Sequence, residues 1–216
     1  MRKLVLVGGG GHCKSVIDSL DTNKFDDIVI VDSSFPHLKE VYGIPVVGNE
    51  EYLEKLYSQG YHYAFVTVGS IESTLIRQKL HSLLKKYNYK LINVIDKSAI
   101  LANQVQIGEG NFIGKRAIIN ADVSVADMCI INTGVIIEHE CIIGDFSHIS
   151  VGSVLCGNVE IGRSVFIGAN STIRNGIKIG NQAIIGMGSC VIKNIDQKKQ
   201  VVGNPAIFLK EKINNE

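Results

Sequence analysis

The chain has 216 residues, enough for one large domain or two small ones with a real hydrophobic core. Lys plus Arg number 22 against 21 Asp plus Glu, a net charge of +1 that gives no basis for nucleic-acid binding, and the 45% hydrophobic content excludes a disordered chain. The 5 Cys form no CxxC pair and are odd in number, which argues against a disulfide framework or a zinc site; they read as small buried thiols of a reducing cytoplasm.

The first apolar run, Leu4–Val7, is too short for a signal peptide, and no apolar run approaches a membrane span. That run followed by Gly8-Gly9-Gly10-Gly11-His12 predicts strand, loop and helix, the helix running from Cys13 to Leu20. A second strand, Ile28–Val31, ends at Asp32. A helix near Glu50–Tyr57, a strand at Tyr63–Val68, the Gly69-Ser70 loop, a helix from Glu72 to Lys86 and a strand at Lys90–Val94 follow. The order predicts a Rossmann-like α/β domain with a parallel sheet. The strict GxGxxG fingerprint fails, because Cys13 or Lys14 stands where the third glycine belongs, so NAD is not expected. A glycine loop at a helix N-terminus still suits a phosphate or diphosphate, and Asp32 at a strand's C-terminal end suits a hydroxyl or an amine.

Composition changes near residue 93. All 7 Tyr lie before it, whereas 13 of the 22 Gly, three aromatics and no Pro lie between Ile95 and Asp196. Domains are therefore expected at 1–93 and 94–197, with a tail at 198–216. Stepping by six from Ile95 meets only aliphatic residues, through Leu101, Ile107 and Ile113 to Val191, for 17 consecutive hexads. Four places after each anchor stands a small or β-branched residue such as Ala117, Cys141 or Ser153, with Asn111 as an exception. Gly directly follows the anchor seven times. A period of six fits neither helix nor simple strand. It fits short strands joined by tight turns, three hexads to a triangular coil, and so a parallel β-helix of about 5.7 coils.

The repeat contains two His, His139 and His148, at neither kind of inward position. His139 is third in its hexad and projects outward. Glu140 beside it can orient the ring and raise its basicity. At a period of 18, residue 139 stacks between Ala121 and Gly157, both small, and Gly157 can offer an unobstructed N–H. A general base beside a backbone donor is what acyl transfer to an amine or hydroxyl needs. Cys141 and Cys156 present an alternative nucleophile, disfavoured because Cys141 is an inward position. An inert β-helix scaffold is the non-enzymatic alternative.

The [LIV]-G-x-x-[STAV]-x pattern resembles the hexapeptide-repeat acyltransferases. Together with the GGGGH loop and NTGVIIEHECIIGDFSHISVG it resembles the sugar O/N-acetyltransferases that act on sialic acid or on nucleotide-linked 4-amino sugars, as in the bacillosamine pathway. This resemblance implies a left-handed β-helix, acetyl-CoA as co-substrate without a metal, and a cytoplasmic homotrimer with sites between subunits. It implies N-acetylation of the 4-amino group of a nucleotide-linked, preferably UDP-linked, amino-deoxy sugar by direct transfer, with sialic acid O-acetylation as the alternative. It also implies roles. Gly10, Gly11, His12, Asp32, Ser33, Gly69 and Asn132 would bind the acceptor. His139 would be the base and Glu140 its partner. His148, Gly157, Ala169 and Met187 would line the coenzyme. Ser33 departs from the bacillosamine-type pattern, which has a second Asp there. Lys193, Lys198 and Lys199 could meet coenzyme phosphates, although a solvated basic tail is the usual case.

Overall fold

The structure, a computed structural model, describes residues 1–71 and 73–209. In the N-terminal part, strands β1 (Lys3–Val7), β2 (Asp27–Val31), β3 (Glu40–Val41), β4 (Ile44–Gly48), β5 (Tyr63–Val66) and β6 (Lys90–Leu91) form one sheet in the order β3-β4-β2-β1-β5-β6. All neighbours are parallel except the β3–β4 hairpin. Leu4, Val5 and Leu6 are fully buried because β1 is central and covered on both faces, which is why it reads as a continuous aliphatic run.

The helices are α1 (Gly11–Ser19), α2 (Leu53–Ser58) and α3 (Leu75–Lys86). Several expectations change here. The hairpin β3–β4 was not foreseen; its signal is Tyr42-Gly43, both with positive φ, ahead of Ile44–Gly48. The helix expected over Glu50–Tyr57 splits into a 3₁₀ turn at Glu50–Tyr52, capped by Asn49, and α2. The helix expected from Glu72 is α3; Glu72 itself lies outside the described residues. The strand expected at Lys90–Val94 is two elements: the chain leaves the first sheet at Leu91 and starts the repeat at Val94.

From Val94 the chain is a left-handed parallel β-helix. Its 17 two-residue strands run from Val94–Ile95 to Cys190–Val191, and each ends on a hexad anchor. Strands pair with those 18 residues away, as Phe112 with Ile130 and Ser124 with Ile142, which stacks three faces. The first face holds Val94–Ile95, Phe112–Ile113, Ile130–Ile131, His148–Ile149, Phe166–Ile167 and Ile184–Ile185. The second starts at Ile100–Leu101 and the third at Gln106–Ile107. Every anchor from Ile113 to Val191 is at most 2% exposed. Ile95 is 41% exposed, because the first coil has nothing stacked beneath it.

The inward small positions satisfy their own polar atoms. Ser147, Ser153 and Ser171 donate to the carbonyls of Gly162, Gly168 and Gly186 at 2.7, 2.8 and 2.9 Å. Asn111, the exception to the small-residue rule, is buried too: it accepts from Cys129 N–H and donates to the Ala126 carbonyl. Most glycines of the repeat are not at positive φ. Left-handed backbone recurs every six residues from Gly110 to Gly188, at residues as different as Asp122, Glu140 and Phe146. The glycines that follow anchors are there for close approach; a Cβ on Gly168 would lie 2.4 Å from the Met187 nitrogen.

The first face carries the N-terminal domain. Leu4, Leu6, Cys13, Val16 and Phe65 form one apolar cluster with Val94, Phe112 and Ile130. Residues 198–209, expected as tail, add the strand Gln200–Val202 to the first face and an antiparallel partner, Ile207–Phe208. The remainder of the expected tail, 210–216, lies outside the described residues.

Candidate active site

His139 sits at the corner between the second and third faces, in the turn after Ile136–Ile137. Its ring is exposed and lies against the next coil. Nδ1 is 3.1 Å from Glu140 Oε2, so Nδ1–H donates to the carboxylate and Nε2 keeps its lone pair. Nε2 and Cε1 occupy the space over Gly157: a Cβ there would stand 2.5 and 2.6 Å from them. The room expected beside the ring at Gly157 is thus where the ring itself sits. Gly157 N–H has no hydrogen-bond partner among the described residues. Glu140 is held at φ 61, the left-handed turn position, which brings its carboxylate back onto the preceding residue.

Cys141 is buried below this corner. It donates to the Cys156 carbonyl at 3.2 Å and accepts from Val159 N–H, and burial pushes its thiol up to about 11. It is a core residue in the same slot as the serines.

The glycine loop joins β1 to α1. Gly8 has φ +111 and faces Val68, and a Cβ on Gly9 would collide with Leu38. Gly10 and Gly11 differ: nothing lies within 4 Å of a Cβ at either, so their surface is open. Asp32 accepts from Gly9 N–H at 2.6 Å and Ser34 N–H at 2.7 Å. Burial pushes its carboxyl upward, but these bonds outweigh it and leave it below the usual carboxylate range. Ser33 is exposed beside it.

His12, Gly69, Asn132 and His148 meet where this domain touches the first face. His12 packs edge-on against Phe112 at 5.0 Å, and Gly69 lies over its Cβ. His148 Nδ1 is 2.7 Å from the Ser70 carbonyl, so that nitrogen carries the proton and Nε2 is the acceptor. Asn132 Nδ2 lies 3.5 Å from that Nε2, and its Oδ1 accepts from Thr133 N–H. Burial lowers both imidazoles to about 4, aided by Arg77, so both are neutral at pH 7.

Ala169 and Met187 stack on successive coils at the corner between the first and second faces, and Met187 is 77% exposed. The thirteen residues therefore fall into three places on one chain. His139, Glu140 and Gly157 occupy the corner opposite the face that carries the N-terminal domain, and no chain brings its own His139 to its own Gly10, Asp32 or His12.

Residues 3–84 match the PglD N-terminal domain model. Residues 104–139 match the hexapeptide repeat of succinyl-transferase and 158–193 the bacterial transferase hexapeptide of six repeats. Among solved structures, PerB from Caulobacter crescentus in complex with CoA and GDP-perosamine is 33% identical over 97% of this chain and 98% of its own, with a TM-score of 0.90. The acetyltransferase domain of PglB from Neisseria gonorrhoeae in complex with acetyl coenzyme A is 30% identical over 96% and 99%, with a TM-score of 0.89. WeeI from Acinetobacter baumannii, 24% identical with a TM-score of 0.86, shares the fold. A comparison with curated proteins gives no match. The chain belongs to the hexapeptide-repeat sugar N-acetyltransferases.

Family membership sets aside the inert-scaffold alternative: this acetyltransferase is an acyl-transfer enzyme. Sequence reasoning gives no sign of the contacts Ser70 and Arg77 make beside His148, because Ser70 reads as loop and Arg77 lies within an ordinary amphipathic helix pattern. No helix among the described residues is long and apolar enough to cross a membrane.

Proposed function

We propose that the enzyme transfers an acetyl group from acetyl-CoA to the 4-amino group of a nucleotide-linked amino-deoxy sugar. The sugar amine attacks the thioester carbonyl and the C–N bond forms. His139 Nε2 takes the proton that the nitrogen loses, Gly157 N–H stabilises the oxyanion, and the C–S bond breaks to release CoA, whose thiolate recovers a proton. An amine attacks directly, so no acyl-enzyme is needed. The observation that carries this reading is the His139 imidazole, proton held on Nδ1 by Glu140 and Nε2 bare above Gly157.

The acceptor would lie across Gly10, Gly11, His12, Asp32, Ser33 and Gly69, with its amine toward Asn132. The coenzyme would run by His148, Gly157, Ala169 and Met187. Because the base and the acceptor loops occupy opposite sides of one prism, the reading needs a second copy to supply His139 beside the first copy's loops. A homotrimer closes such a heterologous contact into a ring, and the flat faces of a prism favour it. The resemblance implies a UDP-linked acceptor; GDP-perosamine bound to PerB, a 33% identical relative, supports a GDP-linked acceptor equally.

The test is thiol release from acetyl-CoA against UDP- and GDP-linked 4-amino sugars and free sialic acid. Turnover with a nucleotide-linked amino sugar is expected. Turnover with sialic acid alone would overturn the reading in favour of O-acetylation.

A further inference from the structure

Arg77, on the first turn of α3, is 2% exposed and makes no ion pair among the described residues. Its guanidinium lies against the corner between the third and first faces. Nη2 donates to the Met128 carbonyl and Nη1 to the Phe146 carbonyl at 3.2 Å. Those residues hold the left-handed turn position on consecutive coils, with φ 59 and 60. Among the described residues no backbone N–H reaches either carbonyl, so a buried corner needs an outside donor there. Nη1 also donates to Ser70 Oγ at 3.3 Å. One side chain thus ties three segments together: α3, the Ser70 loop and the β-helix.

The same Ser70 presents its carbonyl to His148 Nδ1 at 2.7 Å. We propose that Arg77 is a positioning residue: it clamps the Gly69-Ser70 loop to the β-helix, so that the Ser70 carbonyl keeps the proton on His148 Nδ1 and leaves Nε2 as an acceptor beside Asn132, where the proposed acceptor and coenzyme paths meet. Burying an unpaired cation is costly, and an apolar residue would fill the same volume more cheaply. A guanidinium is what can serve two stacked carbonyls and a hydroxyl from one fork. The expected effect on turnover rests on the proposed acetyl-transfer reading; the tautomer does not.

The experiment uses the full chain with ¹⁵N-labelled histidine and three variants, Arg77→Met, Arg77→Lys and Ser70→Ala. Ser70→Ala keeps the carbonyl, removes only the clamp to the loop and leaves no buried charge unmet, so it decides the matter if Arg77→Met does not fold. In the wild type, long-range nitrogen spectra are expected to show His148 as the Nδ1–H form. Arg77→Met and Ser70→Ala should give a mixture of tautomers, with Arg77→Lys intermediate. The KM should rise about tenfold, the size of one lost orienting hydrogen bond, for both substrates, because the clamped loop carries Gly69 on the acceptor side and orients His148 on the coenzyme side. A pure Nδ1–H tautomer and wild-type KM in folded variants would overturn the proposal. Altered tautomers in an enzyme inactive on every amino sugar would uphold the clamp and count against the acetyl-transfer reading instead.

Discussion

Replacing Gly157 with Ala isolates the position of the proposed base, His139. The new methyl would stand 2.5 Å from His139 Nε2, 2.6 Å from Cε1 and 3.2 Å from Cδ2. Non-bonded carbon and nitrogen settle near about 3.5 Å, so the ring must retreat by about 1 Å. That displacement also pulls Nδ1 away from Glu140 Oε2, now at 3.1 Å. A misplacement of this size at a reacting group costs about 10²-fold in rate, so kcat should fall by about that factor, in the direction of His139→Ala. The Gly157 backbone is outside the left-handed region, so Ala is tolerated there and stability should hold or rise by about 0.4–1 kcal/mol. The N–H of residue 157 survives the change. The assay is steady-state thiol release alongside a melting curve. Wild-type kcat in Gly157→Ala would show that the ring over Gly157 is not the working conformer. A lowered melting temperature would show the backbone reasoning to be wrong.

Three further outcomes follow from the same geometry. Cys141→Ser should keep kcat within about twofold, since Ser147 and Ser153 make the equivalent bonds on the same fold; loss of turnover would restore the thiol as a nucleophile. Asp32→Ala frees Gly9 and Ser34 and should raise the acceptor KM by about tenfold while sparing acetyl-CoA, with Asp32→Asn between; equal rises in both KM values would refute a role confined to the acceptor loop. Stability should fall as pH drops from about 6.5 toward 4. His12 and His148 have folded values near 4, so in that window the unfolded chain binds more protons and unfolding is favoured. Asp32 and Asp96, held below the usual carboxylate range, act only at lower pH. Denaturant midpoints at pH 7.5 and 5 measure the slope, and a double His12→Gln, His148→Gln variant should flatten it; equal midpoints at both pH values would contradict two buried neutral imidazoles.

Much of the fold was legible because a six-residue period is a local rule. Each anchor from Ile113 to Val191 fills the same narrow interior, so the pattern repeats in the sequence as often as in space. Departures from the rule were legible for the same reason: His139 is conspicuous where the corner otherwise takes small or solvated residues. The hairpin at Glu40–Gly48 was not read, because two-residue β3 has no periodicity to detect and is made by its Tyr42-Gly43 turn.

By itself the sequence determined the β-helix, its coil count and its glycine loop, because each depends on neighbours at fixed separation. Only the tertiary structure decided how these meet. The N-terminal domain docks on the first face through Phe112 and Ile130, far along the chain from Leu4 and Phe65. That docking sets His12 beside His148, separated by 136 residues, and puts His139 on the corner away from both. Which face receives a domain depends on apolar surface matched across long separations, and a buried Arg77 looks in sequence like any other helix-surface arginine until the corner carbonyls it serves are in place.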